Sequence, residues 1–142
     1  MREKFTILIA DDDLDDHDLM RRGLSECKVR VDIVPVYDGI QVMDYLLRRH
    51  KFKNVESLPD LILLDLNMPL MDGFSTLKEI KKYPHLQPIP IYVITTSRNM
   101  DDMDKALNLG AYGFYSKGSK SKDIVDIMRS VCQECFEEKP AL

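Results

Sequence analysis

The residues of this sequence best suited to chemistry are carboxylates that close short apolar runs. Asp11-Asp12-Asp13 follow Phe5-Thr6-Ile7-Leu8-Ile9-Ala10, and Asp65 follows Leu61-Ile62-Leu63-Leu64. Carboxylates gathered within a few ångströms repel by roughly 1–4 kcal/mol per pair at surface-like dielectrics, so they persist together only with a cation. All-oxygen ligation with open positions suits Mg2+, which keeps several waters and is typically held by one or two carboxylates plus a phosphate. Two more residues stand at the ends of expected strands: Thr95 after Ile91-Tyr92-Val93-Ile94, and Lys117 just beyond Tyr112-Gly113-Phe114-Tyr115. A hydroxyl and an ammonium facing a metal-bound carboxylate make a pocket for a tetrahedral anion. Each member has a plainer reading alone: a helix cap, a strand-end hydroxyl, a solvated lysine. A cap needs only one acid, so the combination argues for a site.

These side chains meet only if the elements carrying them share one edge of a sheet. Leu61 to Leu64, bounded by Pro59-Asp60 and by Pro69, reads as a strand buried on both faces. The strands expected are Phe5–Ala10, Val29–Val36, Asp60–Leu66, Ile91–Thr95 and Tyr112–Tyr115. Between them come helices from Leu14 to Glu26, from Asp38-Gly39, from Phe74 to Lys81, from Asn99 or Ser97 to Gly110, and from Ser121 to Phe136. Asp13 is a good N-cap, and Leu14, His17 or Asp18, Met20 or Arg21, and Leu24 form the first helical stripe. Lys51 to Leu58 is a polar linker, longer than the usual connection of about 4–6 residues. Strands alternating with helices predict a five-stranded parallel sheet covered on both faces. Pro35 removes a ladder donor and places the second strand at an edge. With right-handed crossovers this favours the doubly wound order 2-1-3-4-5. The first and third strands are then neighbours, and Asp11, Asp12 and Asp65 converge at the carboxyl edge, where ligands of open α/β sheets bind.

The 142 residues fit a single domain, with a core from about 4 to 136 and a frayed tail from Glu137 to Leu142. Apolar residues make up 44% and charged residues 31%, too apolar for disorder. A net charge of -4 argues against nucleic-acid binding. No apolar run approaches the roughly 20 residues a membrane helix needs. After Met1-Arg2-Glu3-Lys4 the apolar stretch is shorter than a signal-peptide core. The odd count of three cysteines predicts reduced thiols and a cytoplasmic protein, and Cys132-Gln133-Glu134-Cys135 lacks the second Cys/His pair a zinc site needs. His17, His50 and His85 read as surface residues away from the acidic edge.

Ile7 through Asp13, Leu61 through Pro69, Ile94-Thr95-Thr96-Ser97 and Phe114-Tyr115-Ser116-Lys117 resemble the four signature segments of response-regulator receiver domains. The resemblance runs from about Lys4 to Phe136 and implies a flavodoxin-like fold. It implies Asp65 as phosphoacceptor, Asp11 and Asp12 as the acid pair holding Mg2+, and the Asn67 backbone carbonyl as a further metal ligand. It also implies Lys117 as the phosphate-binding lysine, Thr95 as the switch hydroxyl and Phe114 as the aromatic switch residue. The donor would be a sensor histidine kinase or a phosphotransfer protein. Output would pass to a downstream protein through the fourth helix, fifth strand and fifth helix. The long linker, with Asp60 through Asn67, is similar to stand-alone receivers that include phytochrome-associated ones. Ile124, Ile127 and Tyr115 are candidates for a homodimer face. Gly118 departs from the family's usual proline and predicts a more mobile Lys117 loop. Phe114 lacks a tyrosine hydroxyl, so its ring states would differ by packing alone.

Two other functions compete. An aspartyl phosphohydrolase of the haloacid-dehalogenase type needs a second acid two residues after its nucleophile; Asn67 stands there and cannot protonate a leaving group. The chain is therefore read as a phosphoacceptor rather than an enzyme acting on other substrates. A phosphorylation-independent binding module on the same fold would be expected to lose Asp12, Asp65 or Lys117, and all three are present.

Overall fold

A computed structural model describes residues 4–137. Met1 to Glu3 and the greater part of the expected tail, residues 138–142, lie outside the described residues. The elements run β1 (Lys4–Ala10), α1 (Leu14–Leu24), β2 (Arg30–Val36), α2 (Gly39–Leu46), a 3-10 turn (His50–Phe52), β3 (Leu61–Leu64), α3 (Gly73–Lys81), β4 (Ile91–Thr95), α4 (Met100–Asn108), β5 (Gly113–Ser116) and α5 (Ser121–Cys135). The strands form one parallel sheet in the order β2-β1-β3-β4-β5. Pro35 therefore lies on an edge strand, where its missing N–H costs no ladder bond.

Alternation along the central strands divides the core in two. Ile7, Ile9, Leu61, Leu63, Tyr92 and Ile94 point toward α1 and α5 and pack with Met20, Leu24, Met128 and Val131. Leu8, Ala10, Ile62, Leu64 and Val93 point the other way and meet Val42, Leu46, Leu77, Ile80 and Ala106 of α2, α3 and α4. Each central strand buries both faces, which is why it reads as an unbroken apolar run.

Caps set the helix starts. Asp13, Asp38, Asp72 and Asn99 each accept backbone N–H bonds through their side chains at the N-termini of α1, α2, α3 and α4. The long linker is not structureless, since it carries the 3-10 turn and seats Phe52, Val55 and Leu58 against the core.

Several expectations need correction. Leu14 is 66% exposed, and the buried stripe of α1 is His17, Met20, Gly23 and Leu24. Ile124 is buried in the core and so is unavailable to a homodimer face. The reading of three reduced thiols fails as well: Cys27, beyond the end of α1, is disulfide-bonded to Cys132 of α5 with Cα atoms 5.6 Å apart, and only Cys135 is free. The pairing follows from α1 packing directly on α5, which sequence spacing alone does not reveal.

Candidate functional site

The register of the sheet builds the site. Ala10 pairs with Leu64 across β1 and β3, so Asp11 and Asp65 emerge side by side. The Asp65 N–H donates to the Ala10 carbonyl at 2.9 Å, and the Asp11 N–H to the Val36 carbonyl at 3.1 Å. Their backbones are thus continuations of the ladder, and their carboxylates are fixed by it. On the other side Thr95 pairs with Ser116, and the Lys117 N–H donates to the Thr95 carbonyl at 2.6 Å. Gly73 closes the floor: a Cβ there would lie 2.4 Å from the Asp65 carbonyl oxygen, so only glycine lets α3 begin this close to the strand end.

Asp11, Asp12 and Asp65 each present a carboxylate oxygen within 4.8 Å of the others. Asp11 and Asp65 are buried whereas Asp12 is exposed, so the cluster is anchored in the core and open at its rim. The donor set is all hard oxygen, and these residues fit a divalent cation. Lys117, only 4% exposed, reaches across the sheet edge into the cluster. Its Nζ lies 2.6 Å from Asp11 Oδ2, 2.7 Å from Asp16 Oδ2 and 3.4 Å from Asp65 Oδ2. The Asn67 N–H donates to Asp65 Oδ1 at 3.4 Å. Thr95 is fully buried beside Asp65, and the Ser97 N–H donates to its hydroxyl at 3.4 Å. Phe114 is half-buried against the α2–α4 side of the core.

The charges respond to this crowding. Burial pushes the Asp11 carboxyl up from its ordinary 3.8 to about 6, against the opposing pull of the Lys117 ammonium. Burial likewise raises Asp65, with Lys117, the Asn67 N–H and the Thr95 hydroxyl acting to lower it. For Lys117 burial alone would depress the pKa, but the charge of Asp65 and the bonds to Asp11 and Asp16 outweigh it and hold the ammonium protonated. A single cation thus faces three carboxylates within hydrogen-bond reach.

Sequence reasoning placed Asp11, Asp12, Asp65, Thr95 and Lys117 at one edge, and they share it. It missed Asp16, which an acidic first turn disguises as a helix-dipole partner. It also misplaced His17. That ring is 5% exposed, its Nε2 bonds to the Asp11 carbonyl oxygen at 2.8 Å, and its edge meets the Tyr37 ring. His17 sits directly behind the acidic cluster, whereas His50 and His85 are on the surface as expected. The loop after Lys117 is packed closely around Gly118. A Cβ on Gly118 would fall 1.9 Å from Asp123 Oδ2, an oxygen that accepts the Lys120 N–H at 3.1 Å. The glycine leaves room for that cap.

Comparisons with known proteins agree with this geometry. Residues 7–129 match the family described as the response regulator receiver domain. The response regulator Rcp1 of Synechocystis sp. is 33% identical over 88% of this chain and 84% of its own length. The crystal structure of the phosphorylated cyanobacterial phytochrome response regulator RcpA superposes with a TM-score of 0.89, at 33% identity, over 94% of both chains. The crystal structure of the Mn2+-bound form of Rcp1 gives a TM-score of 0.87 at 31% identity, over 96% of this chain and 99% of that one.

Proposed function

The chain belongs to the response regulator receiver domain family, and from that premise we propose that Asp65 is the residue that accepts the phosphoryl group. The observation that carries the assignment is the placement of Asp65 between the metal-competent pair Asp11 and Asp12 and the buried Lys117 ammonium. An Asp65 carboxylate oxygen attacks phosphorus. The bond from phosphorus to the donor histidine nitrogen breaks, and that nitrogen keeps the electron pair. Little covalent help is needed, so the work of the site is positioning and charge neutralisation.

In this reading Asp11, Asp12, Asp65 and the Asn67 carbonyl would hold Mg2+, which would supply neutralisation of charge on the transferring oxygens. Lys117 binds a phosphoryl oxygen. The Thr95 hydroxyl turns to donate to another, and the Phe114 ring moves into the space it leaves, which alters the surface of α4, β5 and α5. That one similar protein is Mn2+-bound and another phosphorylated supports reading this chain as one that takes a divalent ion and a phosphoryl group. The donor is a sensor histidine kinase or a phosphotransfer protein, and the receptor of the signal is a downstream protein. We read the chain as a single receiver domain working in the cytoplasm, where the Cys27–Cys132 disulfide would face a reducing thiol pool.

The test is chemical. With labelled acetyl phosphate and Mg2+, the wild-type chain is expected to incorporate phosphate and Asp65→Asn to incorporate none. Persistent labelling of that variant refutes the assignment.

A further inference from the structure

We propose that Asp16 is a positioning residue that aims the Lys117 ammonium at the phosphoryl group, an inference that rests on the phosphoacceptor reading above. An ammonium has three N–H donors. Here three carboxylates face them: Asp11 and Asp16 at 2.6 and 2.7 Å, and Asp65 at 3.4 Å. The two short bonds come from the β1–α1 side of the site. The long one is directed at the nucleophile. Held by Asp11 alone, the ammonium would be free to swing about that one contact. A second fixed acceptor removes the swing and leaves one N–H turned toward Asp65, loosely engaged where a phosphoryl oxygen enters.

Asp16 is itself well placed for this. It lies in the first turn of α1, its N–H bonded to the Asp13 cap at 3.3 Å, and its side chain is only 17% exposed. The chain beyond Lys117 offers Gly118, with no side chain to brace the lysine, so the acceptors set the ammonium's position. Asp16 is not one of the clustered oxygens of Asp11, Asp12 and Asp65, and its Oδ2 is occupied by Lys117. A metal-ligand role and a positioning role therefore separate experimentally. So do positioning and charge: removing a negative charge by itself favours an anion at Asp65, whereas losing the aim of Lys117 disfavours it.

The experiment titrates the full chain, by NMR chemical shift, with Mg2+ alone and with beryllofluoride at saturating Mg2+. It compares wild type with Asp16→Ala, Asp16→Asn and Asp15→Ala, the last removing the same charge from the exposed neighbouring position. Asp16→Ala is expected to bind beryllofluoride about tenfold more weakly than Asp15→Ala, with the two Mg2+ affinities within about twofold of each other. Asp16→Asn keeps an acceptor oxygen and is expected to recover part of the loss. Beryllofluoride binding by Asp16→Ala as tight as by Asp15→Ala overturns the proposal, as does a tenfold loss of Mg2+ affinity. If the wild-type chain binds Mg2+ but no beryllofluoride, the phosphoacceptor reading itself falls and takes this inference with it.

Discussion

At the scale of single residues, the site is a balance of buried like charges against one ammonium. Removing that ammonium by Lys117→Ala leaves Asp11 and Asp65 as buried carboxylates without their partner. Truncating one member of a buried pair costs about 3–5 kcal/mol. Urea unfolding of the metal-free variant is expected to show a loss of that order, partly restored by Mg2+; a loss below about 1 kcal/mol would show that the acids do not depend on Lys117. Asp11 also makes the site sensitive to pH. Its carboxyl, raised to about 6, holds a proton in the folded chain that the unfolded chain has already released. Through this group the metal-free fold loses stability as pH rises from about 4 to about 6. A metal ion must displace the same proton, so Mg2+ affinity is expected to be full above about pH 7 and about tenfold lower at pH 5. Calorimetric titration at the two values checks this, and equal affinities would contradict it. Asp11, Asp12, Asp65, Thr95 and Lys117 were legible because each lies at the carboxyl end of an expected strand, and in a parallel sheet such ends share one edge. Asp16 and His17 were not. An acid in a first turn and a histidine on a helix stripe have common explanations that involve no site.

At the scale of elements, the loop from β5 to α5 is shaped around Gly118. Gly118 has a packing role, because the Asp123 carboxylate occupies the space a side chain would need. Gly118→Ala is expected to displace Asp123, break its bond to the Lys120 N–H and destabilise the fold by about 1–2 kcal/mol. Adding Asp123→Gly, which removes the Oδ2, Cγ and Cβ that the new methyl would meet, should remove most of the additional cost of the alanine. Thermal or denaturant unfolding of the two single variants and the double variant reads this coupling, and purely additive effects would contradict it. The element types and most helix starts were legible from caps and apolar periodicity. The inner face of α1 was less so. Leu14 belongs to the pattern of the stripe but sits at the first residue, beyond the sheet edge, and it is exposed while His17 is buried. Helical spacing allowed both residues a place on the stripe, and only the packing of α1 separates them.

At the scale of the whole molecule, Pro35 and the alternation of strands and helices were enough for the strand order, because an edge strand and right-handed crossovers leave few arrangements. The Cys27–Cys132 disulfide was beyond that reach, since it depends on α1 and α5 lying against each other across 105 residues of chain. Closing a loop this long is expected to stabilise the fold by about 2–5 kcal/mol. Alkylation of the unfolded, unreduced chain should modify Cys135 alone, and reductant should lower the melting temperature. Three reactive thiols before reduction would contradict the pairing. The proposed function of the whole molecule requires one carboxylate to accept a phosphoryl group while a divalent ion occupies the acids beside it. The direct measurement is intact-mass spectrometry of the chain after acetyl phosphate, with Mg2+ or with a chelator, followed by borohydride trapping of the acyl phosphate and peptide mapping. One phosphoryl group, present only with Mg2+ and located at Asp65, is the predicted result. A modification that survives chelation, or one that maps to any other residue, contradicts it.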